Sequence, residues 1–210
     1  MATASQSLFN MTVASDNAGG NQGLLMPKLQ FRFRVNFLNF GASASSIELT
    51  KQVIDCSRPN VTFAEIPLQI YNSTIKLAGK HTWSDMSINV RDDASNTVSR
   101  LVGQQLQKQM DFVEQASAAT GQDYKFQTNI EILDGGNGAA APIVLETWEL
   151  YGCYLKTANY NNLNYGTSEA VTIALSIAYD NAIQSPIGSG VGASIGRTIG
   201  SIATGIGGSL

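Results

Sequence analysis

Apolar and polar residues alternate strictly over long stretches of this chain, and that pattern constrains its fold more than any other feature. From residue 29 to residue 37, leucine, phenylalanine or valine occupies every second position. The same alternation recurs from Ala170 to Asp180, where large apolar side chains oppose small ones. A period of two places alternate side chains on opposite faces of a β-strand. The chain is therefore expected to consist mainly of long strands that each bury one face.

Five further segments of the chain have strand character. The further strands are expected at 47–54, 61–70, 83–90, 124–132 and 143–156. Pro67 indicates an edge or a bulge in its strand, because proline cannot donate to a central ladder. Residues 71–77 can continue that strand or pair with it.

The period changes after the fourth strand. Between Val98 and Val113, apolar residues recur at spacings of three and four, which predicts a helix over about 95–117. Ser95 is the expected cap, preceded by the acidic residues Asp92 and Asp93. The order of elements predicts a mainly β (α+β) fold, an antiparallel β-sandwich or barrel with one flanking α-helix.

Both ends of the chain differ from its middle. Residues 1–28 have no sustained period and are expected to form an extended N-terminal arm, whereas 29–184 carry the strands and the helix as one domain. Residues 185–210 form a Gly-rich C-terminal extension in which glycine and isoleucine or valine recur about every four residues. Each glycine costs about 0.8–1 kcal/mol in a helix relative to alanine. The extension is therefore expected to become ordered only along a neighbouring subunit, and Arg197 within it argues against membrane anchoring.

Charged residues are scarce. Asp, Glu, Lys and Arg make up 14% of the chain, against about 25% in ordinary soluble domains. Because net charge helps to keep proteins apart in solution, a surface this poor in charge is expected to meet other protein. The formal net charge of −3 provides no basic field for phosphates, which argues against sequence-reading nucleic-acid binding.

No motif indicates a cofactor, a metal or catalysis. Cys56 and Cys153 are far apart, and the single histidine has no ligand-like neighbours, which excludes a zinc site. Gly79-Lys80 lacks the flanking residues of a phosphate-binding loop. No cofactor is therefore expected, and no catalytic residue is assigned. Trp83 and Trp148 are expected to be core or interface residues.

Three groupings of ionisable residues still admit a catalytic interpretation. Asp92 and Asp93 are better explained as carboxylates favoured at a helix N-terminus. Glu146 and Glu149, three apart on a strand, should point to opposite faces. A third possibility is a small hydrolase that uses His81 and Asp85, although no nucleophile motif such as GxSxG accompanies them.

Several segments become recognisable when they are taken together. They are WSDMSINVRDDASNTVSRLVGQQLQKQ, KFQTNIEILDGG, LETWELYGCYLKTANYNNLNY and EAVTIALSIAYDNA, preceded by FRFRVNF and DCSRPNVTFAEI. In this order they resemble tail tube proteins of contractile-tailed bacteriophages. In that family an acidic turn precedes the helix and the last strand closes on Tyr-Asp, as Tyr179-Asp180 does here. The resemblance covers about residues 29 to 183 and rests on the order of the segments.

The resemblance implies a structural subunit, not an enzyme, that forms hexameric rings stacked into the inner tube of a contractile phage tail. The sheets would join across subunits, which removes their exposed edges. The implied partners are the tail sheath, baseplate and tail terminator proteins, a tape-measure protein in the lumen, and double-stranded DNA that passes without specific binding. The protein would be assembled in the host bacterial cytoplasm and reside in the virion tail. The tube of a type VI secretion system or another contractile injection system is the alternative.

A channel for DNA needs walls that do not hold phosphate, so small, neutral or acidic side chains are expected there. Two strands offer such a row, and which of them lines the channel stays open. The candidate lumen-facing residues are Thr172, Ala174, Ser176 and Ala178 in one row and Gln127, Asn129 and Glu131 in the other.

The two cysteines allow two interpretations. Cys56 and Cys153 are expected to be buried thiols, as is usual in a protein assembled in the cytoplasm. The alternative is a pair that cross-links subunits after the virion leaves the cell. Tyr151, Cys153 and Leu155 are expected to share one strand face, whereas Cys56 ends a strand where exposure is favoured.

Overall fold

The computed structural model describes residues 28–41, 47–134 and 142–185. The expected N-terminal arm and the Gly-rich extension lie almost entirely outside these ranges, and the expectations for them stay predictions. The chain divides into two units, of which the first ends at Arg32 and the second begins at Phe33. In the first unit, the backbone N–H of Arg32 donates to the carbonyl of Leu29 at 3.2 Å and closes a turn.

The second unit is mainly β-structure. In the described part of the chain its elements are β1 (Phe33–Leu38), α1 (Ile47–Lys51), β2 (Val53–Cys56), β3 (Val61–Ile70), β4 (Ser73–Trp83), β5 (Met86–Arg91), α2 (Thr97–Gln109), β6 (Met110–Asp111), β7 (Ala116–Ser117), α3 (Gly121–Tyr124), β8 (Phe126–Leu133), β9 (Val144–Asn159), β10 (Thr172–Ala178) and β11 (Asn181–Ser185). The expectation of a mainly β fold is confirmed.

Two antiparallel layers share strand β9. Strands β1, β8, β9 and β11 form layer A, and strands β9, β10, β5 and β2 form layer B. The hydrogen-bonded path runs β1-β8-β9-β10-β5-β2, with β11 attached to β9. Among the described strands this path has two open ends, so these strands do not form a closed barrel.

The inner faces of both layers and one face of α2 form a single apolar core. Alternate residues of β8, β10 and β5 are buried, as the period of two predicts. The largest fully buried apolar side chains are Phe37, Phe40, Leu49, Met86, Ile88, Leu101, Ile130, Leu150, Ile173, Leu175 and Ile177. Burying each of these contributes about 1.5–3 kcal/mol, so this core is the main source of the fold's stability.

Strand β9 passes from one layer to the other at Gly152. This glycine has φ +67°, and a Cβ built there would lie 2.7 Å from Cγ of Asp180. The alternation of β9 changes phase at this point, because Leu150 and Cys153 are both buried whereas Tyr151 is exposed. The expectation that Tyr151, Cys153 and Leu155 share a face is wrong, since the irregularity at Gly152 turns Tyr151 outward.

Strands β3 and β4 form a separate two-stranded hairpin. The register pairs Ile70 with Ser73, so the turn consists of Tyr71 and Asn72. Tyr71 has φ 48°, a left-handed conformation that two-residue hairpin turns require. Pro67 lies in β3, and both strands of a two-stranded sheet are edge strands, as the proline indicates.

Five expected strands begin at least two residues later than the alternation predicts. The strands expected from residues 29, 47, 83, 124 and 170 start at Phe33, Val53, Met86, Phe126 and Thr172. Residues 29–32 precede β1, which starts at Phe33. The expected strand at 47–54 is wrong in its first half, because Ile47–Lys51 is helical and only Val53–Cys56 is extended. The late start of β2 follows from the length of its partner strand, β5. The Arg91 N–H donates to the Gln52 carbonyl at 2.8 Å, and β5 ends there, so earlier residues have no ladder to join.

Helix α2 ends at Gln109, eight residues before the expected end near residue 117. Met110 and Val113, which extend its apolar stripe in the sequence, are exposed. The cause is a local turn: the carboxylate of Asp111 accepts hydrogen bonds from the N–H groups of Val113 at 2.8 Å and Glu114 at 3.3 Å. Such Asx-type contacts compete with helix continuation.

The N-cap position of α2 is Asn96, whose side chain makes no capping hydrogen bond, and the carboxylate of Asp93 rather than the expected Ser95 accepts from the first N–H groups of the helix. The Asp93 carboxylate accepts from the N–H of Thr97 at 2.8 Å, and the Ser95 hydroxyl donates to the same carboxylate at 2.5 Å. Asp92 accepts from the hydroxyl of Ser99 at 2.8 Å. The structural interpretation of the acidic pair is therefore confirmed, whereas the expected cap is wrong.

Candidate assembly surfaces

The β3–β4 hairpin has one apolar and one polar face. Cross-strand pairs Ile66–Leu77 and Leu68–Ile75 lie on the same face as Ile70. Each of these five side chains is between 44% and 49% exposed. Covering them completely would contribute on the order of 5 kcal/mol, about half of the value for full burial of each. We call this set, Ile66, Leu68, Ile70, Ile75 and Leu77, the hairpin apolar face.

The opposite hairpin face is polar. Glu65, Gln69, Thr74 and Lys76 lie on it, with Lys76 3.0 Å from Glu65 and the Thr74 hydroxyl 2.8 Å from Gln69 Oε1. These two contacts, Glu65–Lys76 and Gln69–Thr74, both lie on the polar face of the hairpin. An exposed apolar face beside a satisfied polar face is the pattern of a surface that meets another protein.

Both roots of the hairpin are bound to β9. Before β3, Arg58 Nη2 donates to Glu146 Oε1 at 2.8 Å. After β4, Asp85 forms an ion pair with Lys156. The two roots also meet each other, because the Ser84 N–H donates to the Asn60 carbonyl at 2.9 Å.

The two candidate lumen rows lie on the outer faces of different layers. In β10, Thr172, Ala174, Ser176 and Ala178 alternate with buried residues, as the sequence predicts. In β8, Gln127, Asn129 and Glu131 do the same. The rows differ in charge, because Glu131 is paired with Arg34 at 2.5 Å whereas the β10 row is uncharged.

The side chain of Gln109 binds the backbone of β9 at the edge of layer B. Gln109 Nε2 donates to the Leu155 carbonyl at 2.9 Å, and Gln109 Oε1 accepts from the Leu155 N–H at 2.9 Å. These are the two bonds that an added strand would make. Gln109 therefore protects this edge of layer B from pairing with another chain at Leu155.

The residues considered for catalysis are held in structural contacts. Asp85 pairs with Lys156, while the His81 ring lies 6.1 Å from the Trp83 ring and 6.2 Å from the Phe63 ring. The structure thus gives Asp85 a partner other than His81. Glu146 is buried and Glu149 half-buried on opposite faces of β9, which confirms that they do not face each other.

Burial of Glu146 is the feature that sequence reasoning missed. Its carboxylate is 4% exposed and occupies a core-facing position of β9, beside buried Trp148. Trp148 Nε1 and Gln184 Nε2 donate to Glu146 Oε1 at 2.7 and 2.8 Å. The available signal was its parity with Trp148 and Leu150, which places it on the apolar side of the strand.

The two thiols differ in burial. Cys153 is fully buried in the core and Cys56 is half-buried. Burial raises the pKa of each thiol to about 11. A thiol with so high a pKa is a poor nucleophile at neutral pH, because the thiolate is the reactive form. The expected burial is therefore confirmed for Cys153; disulfide formation between subunits stays an open prediction.

Two negative findings apply to the described ranges only. Within residues 28–41, 47–134 and 142–185, no three His, Cys, Asp or Glu side chains are grouped as a metal site would need. No helix in the same ranges has the length and apolar character to span a membrane.

Comparison with known proteins identifies the fold. No protein-family model matches the sequence, and no curated protein matches it. A chain of the anti-feeding prophage baseplate matches with a TM-score of 0.57 at 14% identity, over 77% of this chain and 97% of that one. A chain of the sheath-tube complex of an extracellular contractile injection system, PVC, in the extended state gives 0.56 at 12% identity, over 77% and 93%. A chain of the anti-feeding prophage tube-terminating cap gives 0.56 at 11% identity, over 83% and 99%.

These likenesses concern the fold, since all the identities are low. They extend over nearly the whole of each matched chain, so the shared part is a complete subunit rather than a fragment. The chain has the tail tube-like fold that its segments resemble.

Proposed function

We propose that this protein is the structural subunit of a contractile-tail tube, self-assembling into hexameric rings that stack around a central channel. The observation that carries the proposal is the hairpin apolar face, which the described part of the subunit leaves half-exposed. Its most direct occupant is a second copy of the chain, because a homopolymer covers such a face on every subunit at once. The tail tube-like fold and the scarcity of charge support the same conclusion.

Hairpin variants test self-assembly directly. Leu68 and Ile75 form a cross-strand pair on the apolar face, and Gln69 and Thr74 form the adjacent pair on the polar face. The double variant L68K/I75K should remain folded but fail to form rings or tubes at tens of micromolar. The matched control Q69K/T74K adds the same charge one position away and should assemble like the original protein. Size-exclusion chromatography with light scattering measures both.

Equal assembly of the two double variants would contradict the role of the apolar face. A folded original protein that stays monomeric under every salt condition would contradict the proposed function itself. Circular dichroism and a cooperative melt establish that each variant is folded, so loss of assembly is not confused with loss of structure.

We further propose that the β10 row lines the channel. Its four residues are small and uncharged, whereas the β8 row carries an ion pair with β1. Side chains without charge hold neither phosphate nor counter-ions, which favours sliding of a DNA duplex. T172K/S176K should leave tubes intact and slow DNA ejection, whereas Q127K/N129K should not; the opposite result would assign the channel to the β8 row.

The wider proposal includes the partners of such a tube. Sheath, baseplate and terminator proteins would contact its outside and its ends, a tape-measure protein would fill its lumen during assembly, and the tube would reside in the virion tail. The second candidate is the tube of a contractile injection system. It is favoured by the fold shared with chains of the anti-feeding prophage and PVC assemblies. Electron microscopy of native particles distinguishes the two, because only a phage carries a DNA-filled capsid.

A further inference from the structure

The hairpin projects from the body on two roots, and both are fixed by charged residues of one strand. At the first root, Arg58 is 58% exposed while its partner Glu146 is 4% exposed. The Oε1 atom of Glu146 also accepts from Trp148 and Gln184. This carboxylate is therefore held from three directions, and the position of Arg58 follows from it.

At the second root, the ion pair of Asp85 and Lys156 is more exposed, with 37% and 55% of the side chains accessible. Glu146 and Lys156 stand ten positions apart on β9, one in each layer. Strand β9 thus provides two separated anchor points, and the hydrogen bond from Ser84 to Asn60 ties the roots together between them.

We propose that Arg58 and Asp85 are positioning residues that set the angle of the hairpin for assembly, a role that rests on the proposed function. Neither residue lies on the hairpin apolar face. Each acts through β9, the strand shared by both layers, so the direction of the hairpin is set by a strand that is paired in both layers.

The length of the hairpin makes the position of its tip sensitive to the angle at its root. A ten-residue strand is about 33 Å long. A rotation of about 10° at the root therefore moves the tip by about 6 Å, which exceeds the spacing of about 4.8 Å between neighbouring strands. A hairpin that rotates freely by this amount presents its apolar face in the wrong register to a neighbouring copy, even though the hairpin itself stays intact.

The two anchors should not contribute equally. Glu146 is buried, so its attraction for Arg58 is weakly screened, and loss of Arg58 leaves a buried carboxylate with one donor fewer. The pair at Asp85 is exposed at both ends, and exposed pairs contribute little. Removing Arg58 is therefore expected to release the hairpin more than removing Lys156.

A distance measurement in the free subunit tests the proposal. Spin labels are attached to Y71C at the hairpin tip and R100C on exposed α2, at a concentration below that of assembly. Both native thiols have a pKa of about 11, so the introduced cysteines are labelled first at neutral pH. The labelled protein with Arg58 and Glu146 intact should give one narrow distance distribution.

Four substitutions are then compared in the labelled and unlabelled protein. R58Q should broaden the distance distribution and raise the concentration needed for assembly by about tenfold, as a change of about 1.4 kcal/mol does. R58K should change the distance distribution and the assembly concentration less than R58Q does, because lysine keeps the positive charge. K156Q should have a smaller effect. K76Q removes the pair with Glu65 inside the hairpin and should change neither quantity.

The outcomes separate this inference from the proposed function. A distance distribution that stays narrow in R58Q would overturn the positioning role, whatever the assembly result. Broadening without any change in the assembly concentration would also overturn it. Failure of the unsubstituted protein to assemble would overturn the proposed function, while the distance data alone would still show whether Arg58 fixes the hairpin.

Discussion

Gly152 controls how the two layers join, and it does so through the backbone of a single residue. Its φ of +67° lies in the left-handed region, where a side chain costs about 1–2 kcal/mol. Asp180 fills the space beside its Cα and binds Lys125 at 2.5 Å. This pair holds β8 against the β10–β11 junction at the place where β9 changes layer.

Replacing Gly152 tests this role. G152A should lower the free energy of unfolding by roughly 2 kcal/mol or more, because the Cβ adds backbone strain and displaces Asp180. The matched control is G103A in α2, where a Cβ meets nothing within 4 Å. That substitution should stabilise the protein by about 0.5–1 kcal/mol. Urea unfolding measures both; a neutral G152A would contradict the role of the glycine.

Asp93 gives a pH-dependent prediction. The hydrogen bond from the Ser95 hydroxyl, followed by those from the N–H groups of Thr97 and Val98, lowers the pKa of Asp93 below its usual range. A carboxylate with a lowered folded pKa stabilises the fold above its unfolded pKa of about 3.9. That stability is lost as the pH falls through the lower folded value.

The variant D93N keeps an acceptor oxygen but loses the charge. Its Tm should lie below that of the original protein at pH 7, and the difference should shrink as the pH falls below about 4. Thermal melts at a series of pH values measure this. A difference in Tm that stays constant down to pH 2 would show that the charge of Asp93 contributes nothing.

At the scale of elements, the residue pattern predicted which face of β8, β10 and β5 is buried, but not the change of phase in β9 or where elements end. The alternation in β8, β10 and β5 was sufficient, because a strand buried on one face repeats the same signal at every second residue. The ends of α2 and β2 depend on other parts of the chain: Asp111 turns the backbone locally, and β5 ends at Arg91. Hydrophobic spacing contains neither kind of information.

The candidate surface was predictable in a similar, partial way. The alternation and the low charge indicated that strands meet other protein, and Pro67 indicated an edge. The sequence did not reveal that β3 and β4 pair only with each other among the described strands. An apolar face that packs on the core and one that packs on a neighbouring copy have the same residue pattern. Glu146 was missed because a buried carboxylate depends on donors from distant segments, at Arg58 and Gln184.

The edge contact of Gln109 provides a prediction at this scale. Q109A removes both hydrogen bonds to Leu155 and should destabilise the fold by about 1–2 kcal/mol, since each bond contributes about 1 kcal/mol. The Leu155 amide should exchange its hydrogen faster. R100A, an exposed substitution on the same helix, is the control and should change neither quantity by more than about 0.5 kcal/mol. Unchanged exchange at Leu155 in Q109A would contradict the edge protection.

At the scale of the whole molecule, the fold and the composition both favour association with other protein. A mainly β chain with 14% charged residues has little electrostatic protection against association, and its hairpin apolar face is half-exposed. The Gly-rich segment from residue 185 onward offers further apolar residues outside the described ranges. Removing residues 187–210 should weaken or shorten the tubes while the subunit still folds.

The most direct test of the central claim is cryo-electron microscopy of the purified full chain at assembly concentration. Stacked rings of six copies are expected, with density for the hairpin apolar face packed against a neighbouring copy and an open channel along the axis. Particles that contain single subunits only, or an ordered assembly in which residues 66–77 remain exposed to solvent, would contradict it.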